Sequence, residues 1–90
     1  MKIVAVCGMG IGTSVLLKMN AEKVLAQLGI EATVTAADMS TARQLGFEAN
    51  IVLTTPELVA SLQGLPAEII SIDHFFDLAE LNRNLSAALL

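Results

Sequence analysis

The chain has 90 residues, 54% of them hydrophobic and 16% charged, with a formal net charge of −4. About two thirds of the unfolded surface can be buried at this length, enough for one core, so residues 1–90 read as a single domain. Five scattered basic residues and three phenylalanines as the only aromatics exclude a nucleic-acid face, and the lone Cys7 excludes a disulfide framework or a multi-cysteine metal site.

The amino terminus superficially has the look of a signal peptide, with Lys2 ahead of an uncharged run over 3–17. That run falls short of the roughly 20 residues of a bilayer span. Gly8, Gly10 and Gly12 interrupt it, and Val6 is not the small residue a lipoprotein cysteine wants before it. The expectation is a mature cytoplasmic protein without stable membrane insertion.

Residues 3–6, Ile-Val-Ala-Val, predict a strand buried on both faces. After the glycines, Val15, Leu17, Ala21, Val24, Leu25 and Leu28 recur at helical spacing, with Gly29 at the C′ position. Residues 31–37 alternate Thr33 and Thr35 with Ala32, Val34 and Ala36, which predicts an edge strand. A short helix over 40–45 closes at Gly46, and 51–53 is a central apolar strand. Thr55 then caps a predicted helix with Pro56 at its first position and Glu57 in its first turn, ending near Gly64. Residues 68–72 form the fourth strand. Asp77 and Glu80 make a capping-box variant for a last helix, whose apolar stripe is Leu78, Leu81, Leu85, Ala88 and Leu89 with Glu80 outside it.

Strand and helix alternating in this way imply an α/β fold, a four-stranded parallel sheet with helices on both faces, Rossmann-like or flavodoxin-like. Right-handed crossovers and the polar second strand give the order 2-1-3-4. Ligands of such sheets bind outside the carboxyl ends of the strands, where the order reverses. That point lies beside strand 1, and Cys7 is the first residue beyond it.

Cys7-Gly8-Met9-Gly10-Ile11-Gly12-Thr13-Ser14 is a glycine-rich loop between strand and helix. Alternating glycines permit φ > 0 and inward N–H groups, and the helix amino end adds unsatisfied donors and a positive dipole. Thr13 and Ser14 supply hydroxyls. The result is an anion cradle whose field favours thiolate at Cys7, and a nucleophile inside a phosphate cradle points to a phosphocysteine intermediate. Against this, a cysteine ending a strand is often only a small buried hydrophobe. A dinucleotide fingerprint fails because Thr13 stands where the third glycine belongs, and the chain spans only about half of such a fold. A Walker A loop fails because no lysine lies between Lys2 and Lys18. A low-molecular-weight cysteine phosphatase, Cys-x5-Arg-Ser/Thr, is the alternative enzyme, with Thr13 in place of its arginine. A binding module that only holds an anion is a third reading.

The segment KIVAVCGMGIGTS, Lys2 to Ser14, and the helix through Met19 resemble the IIB component of the bacterial phosphoenolpyruvate-dependent sugar phosphotransferase system. The resemblance is to its lactose, galactitol and ascorbate group, with a loop nearest the ascorbate-type form. It spans the whole chain, with the first segment as its specific part. It implies that Cys7 accepts a phosphoryl group from a phosphohistidine on IIA and passes it to a sugar, with ascorbate the candidate, bound by the membrane component IIC. Gly8, Met9, Gly10, Ile11, Gly12, Thr13 and Ser14 correspond to the phosphate-holding loop. No metal or cofactor is implied. Asn50 stands where the family often has Asp.

Several other residues lie near the strand ends. His74 follows strand 4, about 9–10 Å from strand 1 at the usual spacing, and reads as a loop or cap residue. Asp38 and Asp73 are expected to set loop structure or meet partners, because acids repel phosphate. Thr54 and Thr55 follow strand 3 next to the cradle and are expected mainly to cap the next helix, with contact to partner or phosphate the alternative. Met9 and Ile11 give the loop an apolar rim suited to docking.

Overall fold

The computed structural model describes residues 1–8 and 11–90, with Ile11 described through its backbone. β1 (Lys2–Val6) is buried from Ile3 onward, as a strand covered on both faces must be. It pairs in parallel with β2 (Thr33–Ala37) on one side and with β3 (Ile51–Thr54) on the other; β4 (Glu68–Ser71) pairs with β3. The order is β2-β1-β3-β4, as the sequence predicts. At the edge, β2 exposes Thr33 and Thr35 and buries Val34 and Ala37.

Side-chain alternation in the central strands divides the core into two layers. Ile3, Ala5, Ile51 and Leu53 face α1 (Ile11–Leu28) and α3 (Leu78–Leu89), where they meet Leu17, Ala21, Val24, Leu81 and Leu85. Val4, Val6 and Val52 face α2 (Met39–Leu45) and the segment after β3, where they meet Ala42 and Leu62. Asn50 ties the amino end of the sheet together: its Oδ1 accepts from the Lys2 N–H at 2.9 Å, and its N–H donates to the Lys2 carbonyl at 2.8 Å. An aspartate oxygen would accept the same bond.

The C′ glycine is where expected. Gly29 has φ 72°, its N–H donates to Ala26 O, and the Ile30 N–H donates to Leu25 O, the paired bonds of a Schellman motif. The buried stripe of α1 is led by Ser14 and leaves Val15 41% exposed, together with Leu16 and Met19. The two bonds made by the Ser14 hydroxyl set this phase; they are described below.

The structure departs from the predicted helix after Thr55, which is two 3-10 turns, Pro56–Leu58 and Ala60–Leu62. The Thr55 hydroxyl donates to Glu57 Oε1 at 2.7 Å and caps no amide. The Ser61 carbonyl accepts from the Arg43 guanidinium. Pro66 offers no N–H to the Leu62 carbonyl and disfavours helical geometry at Leu65, so a regular last turn cannot form.

A second departure lies at α3. Asp77 is the N-cap, with Oδ1 accepting from the Ala79 and Glu80 amides. Glu80 does not complete a capping box, because the Asp77 N–H already donates to His74 O at 2.9 Å. Its side chain is buried rather than outside the stripe and turns to the incoming loop.

Gly46 closes α2 in ordinary helical geometry, at φ −62°, with its N–H on Ala42 O. Glycine is required for space: a Cβ would lie 2.6 Å from Leu65 Cδ1 and 2.9 Å from Ala42 O. Gly46→Ala should therefore destabilise the fold by about 1–3 kcal/mol. Thermal unfolding checks this, with a drop of roughly 4–8 °C expected per kcal/mol at this size.

Candidate functional site

Cys7 leaves β1 at its carboxyl end and is 5% exposed. Its N–H donates to Ser14 Oγ at 3.0 Å, and Ser14 Oγ donates in turn to the Ala37 carbonyl at 3.3 Å. Ser14 is fully buried. One hydroxyl thus joins the ends of β1 and β2 to the first turn of α1 and holds the thiol beside a helix amino end. The first amides of that helix have no intrahelical acceptors, and no acidic side chain occupies the turn. Chemically, a sulfur beside the positive end of a helix dipole can take up an anionic group.

The other predicted loop residues divide by position. Gly8 is exposed, and a Cβ there would lie 3.4 Å from Leu58 Cδ2, so the first 3-10 turn packs against the loop. Gly12 and Thr13 belong to the first turn of α1; Gly12 is exposed, with nothing within 4 Å of a built Cβ, and Thr13 is half-buried. Neither Gly8 nor Gly12 takes the positive φ expected of it, which among the described residues is confined to Gly29 and Gly64. Gly12 is already helical, and a Cβ at Gly8 would make only ordinary contact with Leu58. Met9 and Gly10, and the side chain of Ile11, lie outside the described residues, and with them the apolar rim expected of Met9 and Ile11.

A family model for the lactose/cellobiose-specific IIB subunit of the phosphotransferase system matches residues 2–86. The ascorbate-specific phosphotransferase-system EIIB component of Mycoplasma pneumoniae is 32% identical over 88 residues, which are 97% of this chain and 93% of that protein. The chain belongs to the phosphotransferase IIB family. Its fold is also that of the lactose-specific IIB component domain from Streptococcus pneumoniae, with a TM-score of 0.66 over 99% of this chain and 94% of that one, at 13% identity.

The carboxyl ends of the other strands in this IIB chain carry polar residues that the sequence assigned only loosely. Asp38 caps α2, accepting the Thr41 N–H at 2.8 Å. That amide, with the Thr41 side chain, holds the Asp38 carboxyl below its ordinary range. The bond from the Thr55 hydroxyl, joined by the backbone amide of Glu57 itself, does the same for the Glu57 carboxyl. Asp73 contributes its amide: the N–H groups of Asp73 and His74 donate to Glu80 Oε2 and Oε1 at 2.6 and 2.9 Å. His74 Nδ1 lies 3.3 Å from Glu80 Oε1, with the imidazole side chain 63% exposed. Asn20 of α1 donates to Phe75 O in the same loop. Glu80 and Asn20 were missed because an acid three residues after a cap reads as a box, and a helical Asn as surface.

His74, Asp77 and Glu80 bring three potential metal donors within 4.8 Å of one another. Asp77 Oδ1 and both Glu80 oxygens already accept backbone N–H groups, so the cluster is accounted for as a loop staple. A groove of about 240 Å³ lies at the opposite end of the sheet from Cys7, lined by Lys2, Val4, Thr33, Thr35, Leu45 and Glu48. Among the described residues, no helix is long and apolar enough to cross a membrane.

Burial alone pushes the Glu80 carboxyl up, but the Asp73 and His74 amides and the His74 imidazole outweigh it and hold it below the ordinary glutamate range. Its stabilisation is therefore complete above the ordinary value, about 4.3, and is lost as pH falls through the depressed one. Glu80→Gln should cost about 1–3 kcal/mol at pH 7, since an amide cannot accept both N–H groups. It should also flatten the acid limb of stability, as read from urea midpoints between pH 7 and pH 3. Ser14→Ala strands the Cys7 amide and should lower the urea-derived stability by a similar amount, about 1–3 kcal/mol.

Proposed function

We propose that the chain, residues 1–90 as one IIB domain, carries a phosphoryl group on Cys7 between a IIA phosphohistidine and a sugar bound by a membrane IIC partner. The observation that carries this reading is the bond from the Cys7 amide to Ser14, which sets the single thiol of a IIB family member at the amino end of α1. The ascorbate-specific name of the Mycoplasma relative supports ascorbate as the candidate sugar. The protein works in the cytoplasm, meeting the membrane through its IIC partner.

In the first step the Cys7 thiolate attacks phosphorus in line. The S–P bond forms, the P–N bond breaks, and the electron pair returns to the imidazole nitrogen, which takes up a proton. Charge on the equatorial oxygens is met by the loop from Gly8 through Met9, Gly10, Ile11, Gly12 and Thr13 to Ser14, with amide donors and hydroxyls. In the second step a sugar hydroxyl attacks, the P–S bond breaks, and the thiolate leaves; a base on the partner takes the hydroxyl proton. Neither step requires a metal or an organic cofactor. Two acids near the strand ends, Asp38 and Glu57, are engaged by a helix cap and by the Thr55 hydroxyl.

Incubation with phosphoenolpyruvate and the relay proteins should add one phosphate, located on Cys7 by mass spectrometry and absent in Cys7→Ser. An unmodified wild-type protein, or phosphate on His74, would overturn the reading.

A further inference from the structure

Thr54 ends β3 and is fully buried. Among the described residues its Oγ1 is the buried side-chain polar atom left without a hydrogen-bond partner. An unpaired buried hydroxyl destabilises a fold relative to valine, which has the same shape and suits a central strand. Its occurrence after Ile51, Val52 and Leu53 therefore calls for an explanation.

The register indicates where that partner comes from. Ala5 pairs with Leu53, so Thr54 stands level with Val6, one residue before Cys7. Alternation puts Thr54 on the face of Val52 and Val6, beneath the second core layer. The next position of β1 on that face is Gly8, packed against Leu58. On the β2 side of this strand end, the Ser14 hydroxyl bonds both Cys7 and Ala37. On the β3 side, the matching hydroxyl is unused.

We propose that Thr54 is a positioning residue for the phosphorylated form: its hydroxyl is unpaired while Cys7 is a thiol and hydrogen-bonds the phosphoryl-bearing loop once Cys7 carries the group. The inference rests on the phosphocysteine reading and adds a residue to it. A phosphoryl group brings nearly two negative charges and three strong acceptors to the end of β1. A hydroxyl held at the buried end of β3, on the face of Val6 and Gly8, is placed to bond the loop that carries the group. Thr54 then biases the equilibrium toward phosphocysteine and leaves the thiol form slightly strained.

The test uses the full chain with Thr54→Val and Thr54→Ser, equilibrated with the phosphoenolpyruvate relay proteins. The phosphorylated fraction is read by intact mass and the phosphocysteine environment by its phosphorus resonance. Thr54→Val should lower the phosphorylation equilibrium constant by about tenfold to a hundredfold, the range of one bond to a charged group. Its resonance should move, while its unphosphorylated form melts at or above the wild-type temperature. Thr54→Ser should restore both the equilibrium and the resonance. A wild-type equilibrium in Thr54→Val overturns the inference, as does a lower melting temperature in Thr54→Val that Thr54→Ser repairs, since the hydroxyl would then already have a partner. If only the Thr54 inference fails, wild-type Cys7 still gains phosphate; if the carrier reading fails, it gains none and both fall.

Discussion

Ser14 Oγ accepts the Cys7 amide and donates to the Ala37 carbonyl, so that three chain segments converge on one fully buried atom. Much of the architecture is tied to that convergence. Burying Ser14 in the first turn fixes the rotation of α1, and Leu17, Ala21, Val24 and Leu25 then fall on the sheet. Turning the helix by one residue, about 100°, would bury Val15 and break both bonds. The same atom locks β1 to β2 at the point where the strand order reverses. There α1 leaves on one face and α2 covers the other, with Cys7 between them at the end of β1.

The placement of buried polar groups follows the same logic. Ser14, Asn20, Thr54, Thr55 and Glu80 are the polar residues buried among those described. Ser14, Thr54 and Thr55 sit at the carboxyl ends of β1 and β3. Asn20 and Glu80 reach from α1 and α3 to hold the loop after β4. The amino end of the sheet is served by exposed groups, chiefly Asn50 with Lys2. A buried polar group is destabilising unless paired, so a fold confines such groups to the end where they have work to do. Among the described residues, the buried polar groups thus gather at the carboxyl end of the sheet, the end where Cys7 lies.

The features legible in the sequence were those set by short-range pattern. Uninterrupted apolar runs identified β1 and β3, and the polar alternation of Thr33 and Thr35 placed β2 at the edge. Gly29 and Asp77 carried their cap chemistry openly. What escaped depended on partners distant in sequence. The helical pattern after Thr55 became two 3-10 turns, with the Ser61 carbonyl accepting from the distant Arg43 and Pro66 lying beyond. Glu80 kept its cap-like spacing but lost the expected acceptor role to His74 O. At the candidate site, the residue types around Cys7 were readable, whereas the use made of them was not. Gly8 lies at ordinary contact distance from Leu58 without a positive φ, and Gly12 sits in a helix. Neither fact follows from counting glycines.

A carrier of the proposed kind faces opposed demands at one sulfur. It must accept and release a phosphoryl group quickly with partners, yet lose it slowly to water between encounters. A cysteine phosphatase meets only the first demand, and its loop arginine accelerates both transfers. Here Thr13 stands in the arginine position, half-buried in the first turn of α1, and Cys7 is almost wholly covered. Both features withhold help from a water molecule. Stabilisation that comes from fixed amides and hydroxyls acts on the phosphoryl oxygens whichever nucleophile attacks, so discrimination has to lie in access. A sugar hydroxyl or imidazole delivered by a docked partner brings its own base and its own exclusion of solvent. On the proposed reading, omitting the guanidinium and burying the sulfur make the partner part of the active site, which would separate a relay from a hydrolase on the same sheet.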